Sequence, residues 1–215
     1  MTEQQVAFWD TIRIFEEEGL LPHVMLIGSW AEYIYQLHME SDFIANLKTR
    51  DVDFLYPNIY RPKGVDIRIS EKMKEKGFIY TESRVTGVGK YIKGDLLELE
   101  FLTRVLGEGQ QVNKIPALNI KAAGIREINM LANYPLTIDC KNFAINVPEP
   151  EAYMLQKLLI NPKRKPENKK EKDIQAVREL MPYVSIERLK FIFNEMSLKE
   201  QNIIDTVKKE YFIDF

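Results

Sequence analysis

The chain opens on a helical stripe. Val6, Phe8, Trp9, Ile12, Ile14 and Phe15 recur on one side between Glu3 and Glu18, and Gly19 and Pro22 end the pattern. His23 to Ile27 is a short apolar run suited to a strand covered on both faces. Gly28-Ser29 breaks it, and Trp30 to Met39 then reads as a buried or half-buried helix. A second strand is expected at Asp51 to Tyr56, closed by Pro57-Asn58 and followed by a loop with Pro62 and Gly64. Ile69 to Lys76 reads as a short helix stopped by Gly77. Phe78–Tyr80, Val88–Ile92 and Leu96–Leu102 read as strands, with Gly94-Asp95 as a hairpin turn. Leu136 to Val147 holds two more around Lys141-Asn142.

The pattern changes at Val147-Pro-Glu-Pro150. From Glu151 onward the periodicity is helical, with Pro162 and Pro182 between helices and Ser185 as a cap. These patterns predict an α+β fold. One mixed sheet with packed helices occupies residues 1–147, and an all-helical segment occupies 148–215.

Composition narrows the function. The 215 residues carry 30 basic and 32 acidic side chains, a net charge of −2, which argues against a surface built throughout to grip nucleic acid. A single cysteine, Cys140, excludes an intramolecular disulfide and a multi-cysteine zinc site, and reads as a small buried residue. Two histidines exclude a histidine-rich metal site. No apolar stretch reaches the roughly 20 residues that span a bilayer, and the N-terminus lacks a signal-peptide pattern, so a soluble cytoplasmic protein is expected.

Three features carry candidate chemistry. Asp51 and Asp53 flank Val52, so on a strand both carboxylates share one face. Two acids so placed repel unless a cation or proton lies between them, which suits a Mg²⁺ ion. Glu98 and Glu100 repeat the arrangement, with Leu97, Leu99 and Phe101 on the other face. Gly28-Ser29, between strand and helix, allows close backbone approach and presents helix N–H groups to a phosphate. Singly, each is as readily a solvated strand face or an ordinary turn. Together they form a kit for metal-assisted phosphoryl or nucleotidyl chemistry.

Leu26-Ile-Gly-Ser-Trp-Ala31, Lys48-Thr-Arg-Asp-Val-Asp-Phe54 and Leu99-Glu-Phe-Leu102 together resemble the DNA polymerase beta-type nucleotidyltransferase superfamily. The likeness is to its minimal bacterial branch, which includes abortive-infection-type nucleotidyltransferase toxins. It spans roughly residues 20 to 180, in short islands. The resemblance implies that Asp51 and Asp53 hold catalytic metals, Mg²⁺ with Mn²⁺ as the alternative. It implies that Glu100 completes the site and helps activate an acceptor hydroxyl, with Glu98 as the fallback. Gly28 and Ser29 would bind the triphosphate of an NTP, Lys157 would neutralise phosphate charge, and Asp173 would orient a side chain or the base. Two features depart from the family pattern: 21 residues separate Ser29 from Asp51, and the third acid is Glu rather than Asp.

The implied reaction moves a nucleoside monophosphate from NTP to an acceptor hydroxyl and releases pyrophosphate, ATP being among the donors. The acceptor stays open among tRNA, protein and small molecule, as does an antitoxin partner. A non-catalytic nucleotide sensor or interaction module of the same fold is the alternative, and a carboxylate-metal nuclease a third. Lys163 to Lys172 carries a surplus of bases, suited to phosphates but equally to a solvated loop and helix start. Arg50, next to Asp51, is expected to form a structural ion pair.

Overall fold

The computed structural model describes residues 1–39, 42–47, 49–57, 67–105 and 112–215. Lys48 of the Thr-Arg-Asp motif, Asn58, and the loop expected at Pro62 and Gly64 lie outside the described residues. Helix α1 (Glu3–Glu17) starts on a capping box in which Thr2 and Gln5 satisfy one another's backbone N–H groups. A 3₁₀ turn at Leu21–His23 leads into β1 (Met25–Ile27), shorter than the apolar run suggests because Pro22 sits in that turn. Helix α2 (Ser29–His38) follows, then β2 (Asp51–Leu55), α3 (Ile69–Glu75), β3 (Ile79–Glu82), β4 (Gly89–Lys93) and β5 (Leu97–Arg104). Gly94 takes a positive φ of 50° in the β4–β5 turn, where a side chain would be strained.

Three elements are not apparent from the periodicity: β6 (Val112–Ile115), β7 (Ile120–Ile125) and the short α4 (Asn129–Asn133). Strands β8 (Pro135–Cys140) and β9 (Phe143–Pro148) follow. They pair only with one another in a two-stranded ribbon, beside the main sheet rather than within it. Lys141 and Asn142, both at positive φ, make their turn local. The helical segment comprises α5 (Pro150–Ile160), α6 (Glu167–Leu180), α7 (Ile186–Glu195) and α8 (Leu198–Tyr211), with Pro162 and Pro182 in 3₁₀ turns between helices. Ser185 caps α7 by accepting from the Arg188 N–H.

The main sheet is mixed, in the order β1-β2-β5-β4-β3, with β7 beside β5 and β6 on β7. Strands β2 and β5 run parallel, and their register sets Asp51 against Glu98 and Asp53 against Glu100. Period-two alternation then divides the two faces. Val52, Phe54, Leu99 and Phe101 enter the main core, where Phe15 of α1 lies 4.9 Å from Phe54 and 5.9 Å from Phe101 between ring centroids. The opposite face carries the acids and, further along, a second apolar cluster of Met25, Ile27, Leu55, Leu102, Ile128 and Leu131. The main core continues into the helical segment through Tyr153, Leu155, Leu158, Ile174 and Leu189. Cys140 is buried, as its type suggests. Among the described residues, no helix is long and apolar enough to cross a membrane.

Candidate active site

The site lies where the acid face of the sheet meets the start of α2 and the inner side of α5 and α6. Gly28 closes β1 and caps α2 at φ 70° and ψ −160°, a backbone region essentially reserved for glycine. A Cβ added there would stand 2.9 Å from Asp53 Oδ2. This glycine therefore does two things: it turns the chain into the helix and lets the Asp53 carboxylate lie against the backbone. Gly28→Ala is expected to destabilise the fold by about 1–3 kcal/mol and, by displacing Asp53, to lower any activity that needs it at least tenfold. Denaturant unfolding and a turnover assay check both; a variant indistinguishable from the parent in each would remove Gly28 from the site.

Asp51, Asp53 and Glu100 border a common cavity. Asp51 is exposed, while Asp53 and Glu100 are half-buried. Burial, with the Glu100 and Asp51 carboxylates close by, pushes the Asp53 carboxyl up to about 7. Burial likewise raises Glu100, aided by Asp51 and Glu98 and opposed by Lys90. Glu98 is different. Lys90 of β4 donates a short hydrogen bond to it, and Arg50 Nη2 stands 2.5 Å from its Oε1. The Lys90 contact, with Arg50 behind it, holds the Glu98 carboxyl below its ordinary range. Glu98 is thus a carboxylate neutralised by two cations, and Glu100 is the one of the pair that borders the cavity. Arg50 does form a structural ion pair, to Glu98 and, at 3.4 Å, to Asp95.

Facing the acids is a cationic clamp. Asp173 of α6 is buried, and both its oxygens are engaged: Oδ1 accepts from Lys157 Nζ at 2.8 Å and Oδ2 from Arg164 Nε at 2.7 Å. Lys157 also lies 5.2 Å from the Tyr153 ring centroid. The Tyr153 hydroxyl donates to Glu32 Oε1 at 2.5 Å, and burial raises the Glu32 carboxyl despite that bond. Lys157 and Arg164 border a cleft of about 310 Å³ together with Gly28, Ser29, Lys169 and Lys172. Gly28, Ser29, Asp51, Asp53, Lys157 and Asp173 therefore meet around one cleft, and Glu100 joins them from its far side. Arg164, Tyr153 and Glu32 escape sequence reasoning as individual residues. Only the base-rich run signals the first, and a tyrosine and a glutamate inside apolar helices signal the others.

The donor set of Asp51, Asp53 and Glu100 is all oxygen and suits a hard divalent cation. Among the described residues, no three His, Cys, Asp or Glu side chains are gathered tightly enough to enclose an ion. An open set is compatible with Mg²⁺, which commonly takes one or two carboxylates and fills its shell from substrate phosphates and water.

Known proteins place this architecture. The chain has the same fold as an antigenic nucleotidyltransferase-like protein from Paracoccidioides brasiliensis, with a TM-score of 0.53, 15% identity, and 87% of this chain and 79% of that one covered. It also resembles ANT(2")-Ia, solved in complex with adenylyl-2"-tobramycin, with a TM-score of 0.54, 13% identity, and 98% and 99% covered. No curated protein matches it in sequence. A family model described as nucleotidyltransferase matches residues 8–201, nearly the whole chain from the first helix to the last, and the chain belongs to that nucleotidyltransferase family.

Proposed function

We propose that the protein transfers a nucleoside monophosphate from an NTP to an acceptor hydroxyl, releasing pyrophosphate, with Mg²⁺ as the preferred ion. The observation that carries this reading is the parallel β2–β5 register, which sets Asp53 against Glu100 beside Gly28 and opposite the Asp173-held cations. One or two of the carboxylates of Asp51, Asp53 and Glu100, completed by phosphate oxygens and water, would hold Mg²⁺ or Mn²⁺, which when bound would supply Lewis-acid charge at the α-phosphate. The first turn of α2 presents Ser29 and backbone N–H groups to the β- and γ-phosphates. Lys157 and Arg164 neutralise the charge that builds on the departing pyrophosphate. Glu100, made more basic by its burial, accepts the proton of the acceptor hydroxyl as the new P–O bond forms and the α–β bond breaks.

The fold neighbour ANT(2")-Ia, seen with an adenylylated aminoglycoside, supports a hydroxyl acceptor in kind. Acceptor pools of tRNA, protein and small molecules, each incubated with every labelled NTP and Mg²⁺, test the reading. Label should move to one pool with stoichiometric pyrophosphate, and none should move when the cation is chelated. NTP binding by calorimetry without any pyrophosphate release would instead identify a nucleotide sensor, and cleavage of nucleic acid without NTP would identify a nuclease.

A further inference from the structure

The three carboxylates of the site are not held alike. Asp53 lies against the Gly28 backbone, and Glu100 is half-buried on β5. Asp51 is the exposed one, at the first position of β2. An exposed aspartate left to itself samples several χ1 rotamers, and a cation that bound it would bear the entropy of fixing one. The contacts of Asp51 remove that freedom in advance.

They come from two residues back along the chain. The Thr49 hydroxyl accepts from the Asp51 N–H at 3.1 Å and donates to Asp51 Oδ2 at 3.1 Å. One hydroxyl thus fixes the backbone and the carboxylate of the same residue together. A carboxylate has about four acceptor sites, so a single bond from Thr49 leaves it able to ligate. Thr49 and Asp51 both border the cleft beside Ser29.

Thr49 is itself held from a distance. Gln4, in the first turn of α1, donates from Nε2 to the Thr49 carbonyl at 2.8 Å, across 45 positions of sequence. The capping box of Thr2 and Gln5 fixes that turn. Between Thr49 and Asp51, Arg50 is tied to β5, where its carbonyl accepts the Glu98 N–H at 2.8 Å and its guanidinium pairs with the Glu98 carboxylate. The entry to β2 is therefore anchored by the sheet on one side and by α1 on the other. Among the described residues, none from α1 borders the cleft or the cavity of the acids.

Resting on the nucleotidyl-transfer reading, we infer that Thr49 is a positioning residue that holds the Asp51 carboxylate in place for a divalent cation, and that Gln4 of α1 holds Thr49. Groups that orient a metal ligand commonly matter to metal affinity nearly as much as the ligand does.

NMR on the full chain reads the rotamer directly. Three-bond couplings should show one χ1 rotamer for Asp51 in the parent and in Thr49→Ser, which keeps the hydroxyl. Thr49→Val keeps the branched shape without it and should give averaged rotamers. Gln4→Met, remote from the site, should loosen Asp51 in the same direction but less. Both positions are half-buried and outside the apolar core, so the variants should fold. Affinity for Mn²⁺ alone, measured by water-proton relaxation, should fall roughly tenfold in Thr49→Val and match the parent in Thr49→Ser. In Gln4→Met it should fall roughly threefold, the scale of one neutral hydrogen bond. Averaged rotamers in the parent, unchanged couplings in Thr49→Val, no Mn²⁺ bound by the parent, or parental Mn²⁺ affinity in Thr49→Val would each overturn the assignment. Gln4→Met indistinguishable from the parent would overturn the part given to α1. A chain that behaves as expected in both measurements yet transfers no nucleotide to any acceptor pool would keep the Thr49 assignment and sink the nucleotidyl-transfer reading alone.

Discussion

Asp53→Asn is expected to abolish nucleotidyl transfer, by roughly three orders of magnitude or more, and at the same time to stabilise the metal-free fold. The two effects share one cause. Asp53 sits half-buried against Gly28 with Asp51 and Glu100 nearby, and its carboxyl is pushed up to about 7 from an ordinary 3.8. Between those values the folded chain holds a proton that the unfolded chain has released, so stability falls as pH rises through that window and levels off above it. The amide cannot ionise. Asp53→Asn should therefore exceed the parent in stability above about pH 7, by at most about 4 kcal/mol, with the gap closing as pH falls towards 4. Denaturant melts from pH 4 to 8, in chelator, give the comparison. A variant that loses activity while its stability advantage is the same at every pH would show that Asp53 is not held under electrostatic strain. Added Mg²⁺ should narrow the gap at pH 8 by stabilising the parent.

Removing Asp173 should have the opposite effect on stability. Its two oxygens fix Lys157 and Arg164, and its side chain is 3% exposed. Asp173→Ala leaves two cations without their shared anion and a small void, and is expected to cost about 3–5 kcal/mol. Asp173→Asn keeps the shape and one acceptor, so it should cost less while still loosening both cations. NTP affinity in Asp173→Asn should fall roughly tenfold, the scale of losing one charge-assisted contact of about 1.4 kcal/mol. Unfolding curves and calorimetry read the two effects separately. Should Asp173→Ala melt with the parent, the clamp contributes nothing to the fold. Should Asp173→Asn bind NTP as tightly as the parent, the clamp does not organise the phosphate site.

Part of this site could be read from sequence because strand periodicity is local. Asp51 and Asp53 share a face for the same reason that Val52 and Phe54 share the other, and the Gly28-Ser29 turn shows as a break between an apolar run and a helix. The choice between Glu98 and Glu100 is not local. Both lie on the acid face, and Lys90 on one neighbouring strand and Arg50 at the start of the other commit Glu98 elsewhere. In sequence, Arg164 is only one base in a charged run. Its place in the site depends on the 3₁₀ turn at Asn161–Lys163, which returns the chain so that α6 brings Asp173 within reach. Strand β7 gives no sequence signal because Lys121-Ala-Ala-Gly has little of the β-branched bulk that marks a strand, and it is held by pairing with β5 and β6 instead.

Two hydrogen bonds from α2 have a mechanical consequence. Tyr35 donates its hydroxyl to the Pro148 carbonyl at 2.6 Å, and Glu32, one turn earlier, accepts from Tyr153. The helix whose first turn borders the phosphate cleft is thereby riveted at two points to the entrance of the helical segment that carries Lys157. A clamshell motion of sheet against helices would have to break both bonds inside a packed interior. These two bonds fix the α2 wall of the cleft to α5 and the end of β9, so substrate capture is expected to proceed in a single phase in stopped-flow binding, and a slow second phase would show that the cleft closes despite them.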